Sequence, residues 1–264
     1  MGMNTDELLT RIKSVDSTLK LSKAMELISS AKIRRANISM VKANEYFMNV
    51  QVIANLVASC GECRKSVFLR ESSEKVKLVV IAGDRGLAGG YNANIFRNLK
   101  KYEGAEIVPI GKRACNKFDS KFFSAEKFLY EQALEIAEDV CEGFRKNYFG
   151  RFGILYTRYF SMMKQVPEVR WILPLKAEGN KCNILFEPDE KYVLDKVIKE
   201  YVAGSIYAAV RESFMSETAS RKIAMDFAAK NSNKMLEDLE LEYNQIRQSE
   251  TTSEITEIVA SEEK

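Results

Sequence analysis

The sequence predicts an α/β protein in which long helices from both ends of the chain form an antiparallel coiled coil beside a small α/β domain. Glycine and proline, which break helices, are absent from Met3 to Cys60. After Pro188 the chain contains a single glycine, Gly204, and no proline. Nearly all the breakers lie in the middle, where strand-like and helix-like segments alternate.

The first helix is predicted to run from about Asn4 to Ser59. Its apolar residues Leu8, Ile12, Val15 and Leu19 recur at spacings of four, three and four. This rhythm is typical of a coiled-coil seam. The same rhythm returns on a neighbouring stripe, formed by Leu21, Met25 and Ile28.

The second helix is predicted to begin at Pro188, because a proline fits the first turn, where its missing N–H would have no partner. Asp189 and Glu190 favour the positive end of the helix dipole. Both helices join the middle domain at their inner ends and must therefore run antiparallel. The packing expected is of Leu8, Ile12, Val15 and Leu19 against Met235, Leu236, Leu239 and Tyr243. An ordinary helical bundle is the alternative, but it would need breakers about every 20 residues.

The middle of the chain predicts a small α/β (Rossmann-like) domain, because strands alternate with helices. The predicted strands are Val76–Ala82, Glu106–Ile110, Phe152–Phe160 and Val169–Leu175. The predicted helices are Asn92–Lys101 and Glu126–Asn147. The domain assignment is therefore 1–60 and 189–264 for the coiled-coil shaft and 75–188 for the α/β domain.

Composition excludes several chemistries. The chain has no histidine, which removes Ser-His-Asp and Cys-His catalysis and histidine-ligated zinc. Five cysteines, an odd number, do not suggest a disulfide framework. Cys60 and Cys63 form a lone CxxC that lacks both a preceding strand and two further zinc ligands. No run of about 18 apolar residues and no secretory signal is present, so we expect a soluble chain made in the cytoplasm.

Charge is divided between the two ends of the chain. From Arg11 to Lys42 there are eight Lys or Arg against two acidic residues. From Glu237 to Lys264 there are nine Asp or Glu against two basic residues. Such stripes usually face water, but the opposed ends could also attract each other.

A glycine-rich loop, Gly83–Gly90, connects the first predicted strand to a helix, which is the setting in which phosphates bind. The loop completes neither the P-loop pattern nor the GxGxxG fingerprint, since no lysine follows its last glycine pair and the glycine spacings differ. It therefore predicts a structural turn and no nucleotide or other cofactor. Asp84 and Arg85 could form a salt bridge that fixes the turn, or contact a partner.

Three parts of the sequence are of special interest because of their order. They are Arg11–Val15, Lys23–Met25 and Ala31–Arg35 near the start, Asp84–Asn92 in the middle, and Asn244–Gln248, Thr252 and Glu254–Val259 at the end. Together they resemble the gamma subunit of F-type ATP synthases, and the match is colinear over nearly the whole chain. Glu187–Asp189 resembles the junction before that family's last helix. The sequence departs from the family in Ala88, where many members have cysteine, and in a rather short middle domain.

The resemblance implies a central rotor shaft that stands inside a ring of alpha and beta subunits and rests on epsilon and the c-subunit ring. Ion flow through the membrane ring would turn the shaft, and the beta subunits would make or hydrolyse ATP. The chain would thus be a non-catalytic subunit, peripheral to the cytoplasmic face of the cell membrane. A coiled-coil adaptor that transmits no torque is the alternative, and an enzyme that uses the glycine loop is a weaker one.

The resemblance also assigns residues to roles. Contacts with the alpha and beta subunits are expected from Lys23, Met25, Arg34, Arg35, Arg247, Gln248, Thr252 and Glu254. The signature loop is expected to act through Asp84, Arg85, Gly86, Gly89, Gly90 and Asn92. The side of the rotor ring is expected at Glu187 and Asp189. No catalytic, cofactor-binding or metal-binding residue is expected.

The lengths of the two helices predict an unpartnered tip. If they start level at the domain, the second overshoots the first by roughly 25 Å at 1.5 Å per residue. The overshoot would cover about Asn244–Val259. Its apolar residues, without a partner helix in the chain, would be Ile246, Ile255, Ile258 and Val259.

Overall fold

A computed structural model describes residues 5–60, 62–71, 73–120, 123–176, 186–187 and 189–262. The chain divides into two compact units, Met1–Ser30 with Lys222–Lys264, and Ala31–Arg221. The predicted fold class of long terminal helices and a small α/β domain is confirmed. The predicted domain division at residues 60 and 189 stays a prediction.

The two long helices are α1, Thr5–Ala58, and α5, Glu190–Glu262, with 54 and 73 residues. The predicted first residue of the second helix, Pro188, lies outside the described residues. Asp189 caps α5, because its Oδ1 accepts a hydrogen bond of 2.8 Å from the backbone N–H of Tyr192. An aspartate at this position satisfies one of the N–H groups that a helix leaves unpaired at its start.

The inner face of α1 in the first unit is less apolar than the sequence predicts. Leu8 and Leu19 are buried, but the seam then continues through Ser22 and Ser29, which are also buried. The stripe of Leu21, Met25 and Ile28 does not continue the buried seam of α1, because Leu21 and Ile28 are 55% and 50% exposed. Serine is small enough to allow close helix packing, and the Ser29 hydroxyl donates to the Met25 carbonyl within the helix.

Two contacts in the first unit show that its helices run antiparallel. The Thr5 hydroxyl donates to Glu250 Oε1 over 2.6 Å. The pKa of Lys230 is raised, chiefly by its hydrogen bond to Asp226 and also by the charge of Glu26. The start of α1 thus lies beside the late part of α5, and residues further along α1 lie beside earlier residues of α5. The two helices are therefore antiparallel, as the sequence predicts.

The seam of α5 and the length of its free tip differ from the prediction. Leu239 is buried, but Met235 is 44% exposed and lies off the seam. Because Thr5 lies beside Glu250, the part of α5 that extends beyond the described start of α1 begins near residue 251 and not at Asn244. It spans residues 251–262, or about 18 Å. Ile246 is half-buried and is therefore not part of the free tip.

The second unit contains a four-stranded sheet in the order β2-β1-β3-β4. The strands are β1 Val76–Ile81, β2 Glu106–Ile110, β3 Arg151–Tyr159 and β4 Gln165–Leu173. The helices between them are α2 Tyr91–Leu99, α3 Lys112–Phe118 and α4 Tyr130–Arg145, and short 3₁₀ helices cover Glu62–Lys65, Val67–Leu69 and Lys100–Tyr102. The first three strands are parallel to one another and β4 is antiparallel to β3.

Three elements of the sheet domain depart from the prediction. Helix α4 begins at Tyr130 and ends at Arg145, whereas the predicted helix covers Glu126–Asn147. Helix α3 was not expected from the sequence pattern, because it has only seven residues. Strand β4 begins at Gln165 instead of Val169 and includes Pro167. A proline is tolerated there because β4 lies at the edge of the sheet, where part of the backbone has no neighbouring strand.

Both faces of the sheet are covered, which explains the unbroken apolar run of β1. Val79 and Ile81 belong to the larger core, which includes residues of α4 and of the inner parts of α1 and α5. Leu78 and Val80 belong to a smaller core with residues of α2. Strands buried on both faces are expected to be continuously hydrophobic.

Candidate functional site

The glycine-rich loop, residues 83–90, joins the end of β1 to the start of α2. The backbone N–H of Gly83 donates to Asn92 Oδ1 over 2.9 Å, and Asn92 Nδ2 donates to the Arg85 carbonyl over 3.4 Å. Leu87 and Gly89 have positive φ angles of 60° and 56°. The loop is thereby folded back on the first turn of α2.

Asp84 is the main hydrogen-bond acceptor of this loop. Its carboxylate accepts from the Ser124 hydroxyl at 2.7 Å and from the backbone N–H groups of Lys112, Ala125 and Glu126 at 3.0, 3.1 and 3.0 Å. Burial alone would raise the pKa of Asp84, but these hydrogen bonds outweigh it and lower the pKa below its ordinary value. Asp84 therefore ties the loop to the start of α3 and to the segment before α4.

The alternative of an Asp84–Arg85 salt bridge is not what the structure contains. The Arg85 guanidinium lies 3.8 Å from Glu126 and is 66% exposed. The Asp84 oxygens are occupied by backbone and serine donors instead. A contact between Arg85 and a partner protein stays a prediction.

Helix α5 closes the loop from the other side. Glu217 is 3% exposed, pairs with the Arg221 guanidinium and accepts a hydrogen bond from the Arg85 backbone N–H. Arg221 Nε in turn donates to the Gly86 carbonyl over 3.2 Å. A Cβ atom added at Gly83 would lie 2.8 Å from Glu217 Cδ, so a larger residue there would displace the Glu217 carboxylate.

This arrangement favours a structural role for the loop. A phosphate cradle needs free backbone N–H groups, but those of Gly83 and Arg85 donate to protein oxygens. Burial raises the pKa of Glu217, and Arg221 offsets this only in part. That the loop binds no nucleotide stays a prediction.

The residues predicted to contact the alpha and beta subunits lie mostly on exposed helix surface. Lys23, Arg34 and Arg35 on α1 are exposed, whereas Met25 is half-buried. The predicted residues of α5 are all exposed: Arg247, Gln248, Thr252 and Glu254. The Thr252 hydroxyl donates to the Gln248 carbonyl, which leaves its oxygen as an acceptor only.

The basic residues in this set are available for partners. Within the described part of the chain, Lys23, Arg34, Arg35 and Arg247 form no ion pair. An exposed guanidinium with no internal partner can hold a carboxylate by two parallel hydrogen bonds. Of the residues predicted on the ring side, Glu187 is exposed, and Asp189 is exposed but also caps α5.

Helix α1 also has an exposed apolar surface that was not expected from the sequence, which we call the outer stripe. Its residues are Ile38, Val41, Met48, Val52 and Leu56, and they are 42–67% exposed. Their steps of three, seven, four and four place them on one side of the helix, which is a signal that the sequence already contained. Ile255, Ile258 and Val259 at the end of α5 are similarly exposed. Apolar surfaces of this kind mark sites where other proteins bind.

The described residues contain neither a metal-binding cluster nor a helix suited to span a membrane. No three His, Cys, Asp or Glu residues in that part of the chain are arranged to hold an ion. None of its helices is both long enough and apolar enough to cross a bilayer. Cys60, Cys63, Cys115 and Cys141 are buried, and Cys182 lies outside the described residues.

Comparison with known proteins extends over the whole chain. A profile of the ATP synthase family matches residues 4–263. An ATP synthase gamma chain of Ruminococcus albus is 38% identical over 277 residues, covering 97% of this chain and 96% of that protein. One of Alkaliphilus metalliredigens is 33% identical over 286 residues, covering 100% and 99%.

A solved structure has the same fold. It is the rotor of the Euglena gracilis mitochondrial ATP synthase, with a TM-score of 0.67 over 93% of this chain and 98% of that one. At 19% identity this likeness concerns the fold alone. The family profile and the two relatives, which match from end to end, decide the assignment. The chain belongs to the ATP synthase gamma chain family.

Proposed function

We propose that this chain is the central shaft of a rotary ATP synthase and transmits torque between a membrane ring and the ATP-handling subunits. The observation that carries the proposal is its end-to-end match to ATP synthase gamma chains. Its partners are the alpha and beta subunits, the epsilon subunit and the c-subunit ring. The assembled complex lies at the cytoplasmic face of the cell membrane, and the chain reaches the membrane only through it.

The described surface suits a shaft that turns inside a ring. The antiparallel helices of the first unit contain no glycine or proline among their described residues, so they lack the usual points of kinking. Exposed and internally unpaired cations at Lys23 and Arg247 provide contacts for carboxylates of the surrounding subunits. Because such contacts are polar and exposed, they can be made and broken as the shaft turns.

In this proposal the chain supplies no catalytic group. It has no histidine, and its glycine loop is filled by Asn92, Glu217 and Arg221. ATP is bound and hydrolysed on the alpha and beta subunits, and the shaft acts by changing the conformation of the beta subunits. An adaptor that binds the same partners without turning is the competing proposal.

Rotation of the reconstituted complex separates these two proposals. The chain is combined with alpha and beta subunits of the same organism, and a bead is attached at Arg97→Cys in a Cys182→Ser background. Arg97 is exposed at the end of α2 and the four described cysteines are buried, so labelling is selective. We expect continuous rotation in one direction on addition of ATP. ATP hydrolysis without rotation of the bead would favour the adaptor.

The part of α5 just before its free tip supports a second experiment. Replacing Arg247 and Gln248 together by alanine is expected to lower assembly or ATPase activity about tenfold, the effect of losing one charge-assisted contact. The helix content of the isolated chain should not change, because both side chains are exposed. Circular dichroism, size-exclusion chromatography and an ATPase assay measure these three properties.

A matched control is available on the same helix. Asn233 and Lys234 are also an adjacent amide and cation, and both are exposed. Their double alanine variant is expected to assemble and hydrolyse ATP like the wild type. Equal activity of the Arg247/Gln248 variant and the wild type would show that the proposed contact with the beta subunits is wrong.

A further inference from the structure

Glu126 is the residue at which four parts of the second unit meet. Its carboxylate lies 2.5 Å from Lys32 Nζ on α1 and 3.8 Å from the guanidinium of Arg85 in the glycine loop. Its backbone N–H donates to Asp84 over 3.0 Å, and its carbonyl accepts from Arg211 Nη1 on α5 over 3.3 Å. Both long helices and the glycine loop are thus linked through one residue.

The segment around Glu126 is irregular but firmly held. Ser124, Ala125 and Glu126 all donate hydrogen bonds to the Asp84 carboxylate. Arg211 also donates to the carbonyl of Phe128, whose side chain is completely buried. We call residues 124–128 the joint segment. Its polar groups point in three directions, to α1, to α5 and to the glycine loop.

Hydrogen bonds resist a kind of displacement that apolar packing resists poorly. The hydrophobic effect is non-directional, so it opposes separation of two surfaces more than their sliding past each other. A charge-assisted hydrogen bond depends on both distance and angle and therefore opposes sliding as well. Torque applied to the α/β domain acts as sliding against the long helices.

We propose that the joint segment, with Glu126 at its centre, is the mechanical link that fixes the α/β domain to both long helices against twisting. The Glu126–Lys32 pair carries the link to α1, and Arg211 carries the link to α5. Glu126 is a positioning residue, which touches no nucleotide and acts by holding other elements. This role rests on the proposed function as a torque-transmitting shaft.

The Glu126–Lys32 pair is suited to resist twisting because it is partly buried. The two side chains are 30% and 36% exposed, so salt screens them less than a fully exposed pair. A second link between α1 and the domain is longer, since the Tyr46 and Tyr130 hydroxyls lie 3.3 Å apart. We therefore expect the Glu126 pair to contribute more to stiffness than the tyrosine contact.

Angular fluctuation of a stalled complex tests the proposal. In the labelled complex described above, the bead on α2 reports twisting of the α/β domain while the alpha and beta subunits are fixed to a surface. Glu126→Gln keeps the size and backbone hydrogen bonds but removes the ion pair. We expect the angular variance to rise about twofold, because a charge-assisted bond is roughly twice as strong as a neutral one.

Two further variants make the result specific. Glu142→Gln removes a more exposed pair with Lys146, which joins only the last turn of α4 to the residue that caps it, so the variance should stay at the wild-type value. Exchanging the charges with Lys32→Glu and Glu126→Lys should bring the variance back towards wild type, although either single change raises it. A wild-type variance in Glu126→Gln, or no recovery in the exchanged variant, would overturn the proposal.

Failure of the joint can be told apart from failure of the proposed function. If the wild-type bead does not rotate with ATP, the shaft proposal is wrong. Hydrogen exchange on the free chain still tests the link itself, since Glu126→Gln should speed exchange at the backbone amides of residues 123–129 about tenfold while leaving β1 unchanged. Unchanged exchange in that segment would contradict the link whatever the complex does.

Discussion

Replacing Gly111 with alanine is expected to destabilise the chain by about 4 kcal/mol or more. Losses of this size are exceptional and come from severe backbone or core defects. Gly111 follows β2 and has φ 91° and ψ 142°, a conformation that other residues rarely adopt. A Cβ atom there would lie 2.0 Å from the Ala82 carbonyl oxygen. Ala82 is fully buried at the end of β1, so its backbone cannot move aside.

Gly104→Ala is the matched control for this change. Gly104 also has a positive φ, 85°, but a Cβ there meets nothing within 4 Å. Gly104→Ala should therefore lower the free energy of unfolding only by the strain of the left-handed backbone, about 1–2 kcal/mol. Urea denaturation of both variants measures the difference. Equal losses would mean that the close approach between Gly111 and Ala82 is not decisive.

Asp84→Ala is expected to produce the second largest loss, about 3 kcal/mol or more. It leaves three backbone N–H groups and the Ser124 hydroxyl without their acceptor, and each unsatisfied group costs about 1–3 kcal/mol when buried. The loss should also loosen the joint segment, which donates most of these bonds. The free energy of unfolding in urea gives the magnitude.

Asp226→Ala is a suitable comparison for Asp84→Ala. Asp226 pairs with Lys230 one turn along α5, and the pair is largely exposed. Exposed pairs of this type contribute little to stability, so the loss should be far smaller than that of Asp84→Ala. If the two alanine variants lost similar stability, the network around Asp84 would not have the structural role argued for it.

The effect of Asp84→Ala should depend on pH in a definite direction. The folded-state pKa of Asp84 is lowered, so its stabilising contribution is present above the unfolded-state value. It is lost as the pH falls through the folded-state pKa. The difference in unfolding free energy between wild type and Asp84→Ala should thus be constant from pH 7 to about pH 5 and shrink below about pH 4. A difference that grows on acidification would contradict the assigned hydrogen bonds.

Local sequence patterns were sufficient for the long elements of this protein. The helix predicted from Asn4 to Ser59 is observed as Thr5–Ala58, and the strand Glu106–Ile110 is observed with the same bounds. Long helices need an absence of breakers, and buried strands need a run of β-branched residues, and both are local properties. The resemblance supplied the family in the same way, from three short segments in order.

The helix seam shows where local patterns stop being sufficient. Apolarity favoured Leu21 and Ile28, but the buried positions are Ser22 and Ser29. The positions that face the partner helix are set by their spacing of four and three residues. Small side chains at these positions allow the two helices to approach closely, whether or not they are apolar. The length of the free tip likewise depended on which residue of α5 faces Thr5, which no helix length alone can give.

What the sequence determined by itself was thus the class of fold, the main elements and the family. Only the tertiary structure decided how the signature loop is held. Asp84 bonds to Glu126 at a separation of 42 residues, Lys32 to Glu126 at 94, and Arg221 to Gly86 at 135. Such contacts join groups that are brought together by packing of the sheet against the helices, and local periodicity contains no information about them. The loop therefore looked like an incomplete phosphate site in the sequence, whereas in the fold the N–H groups of Gly83 and Arg85 already donate to protein oxygens.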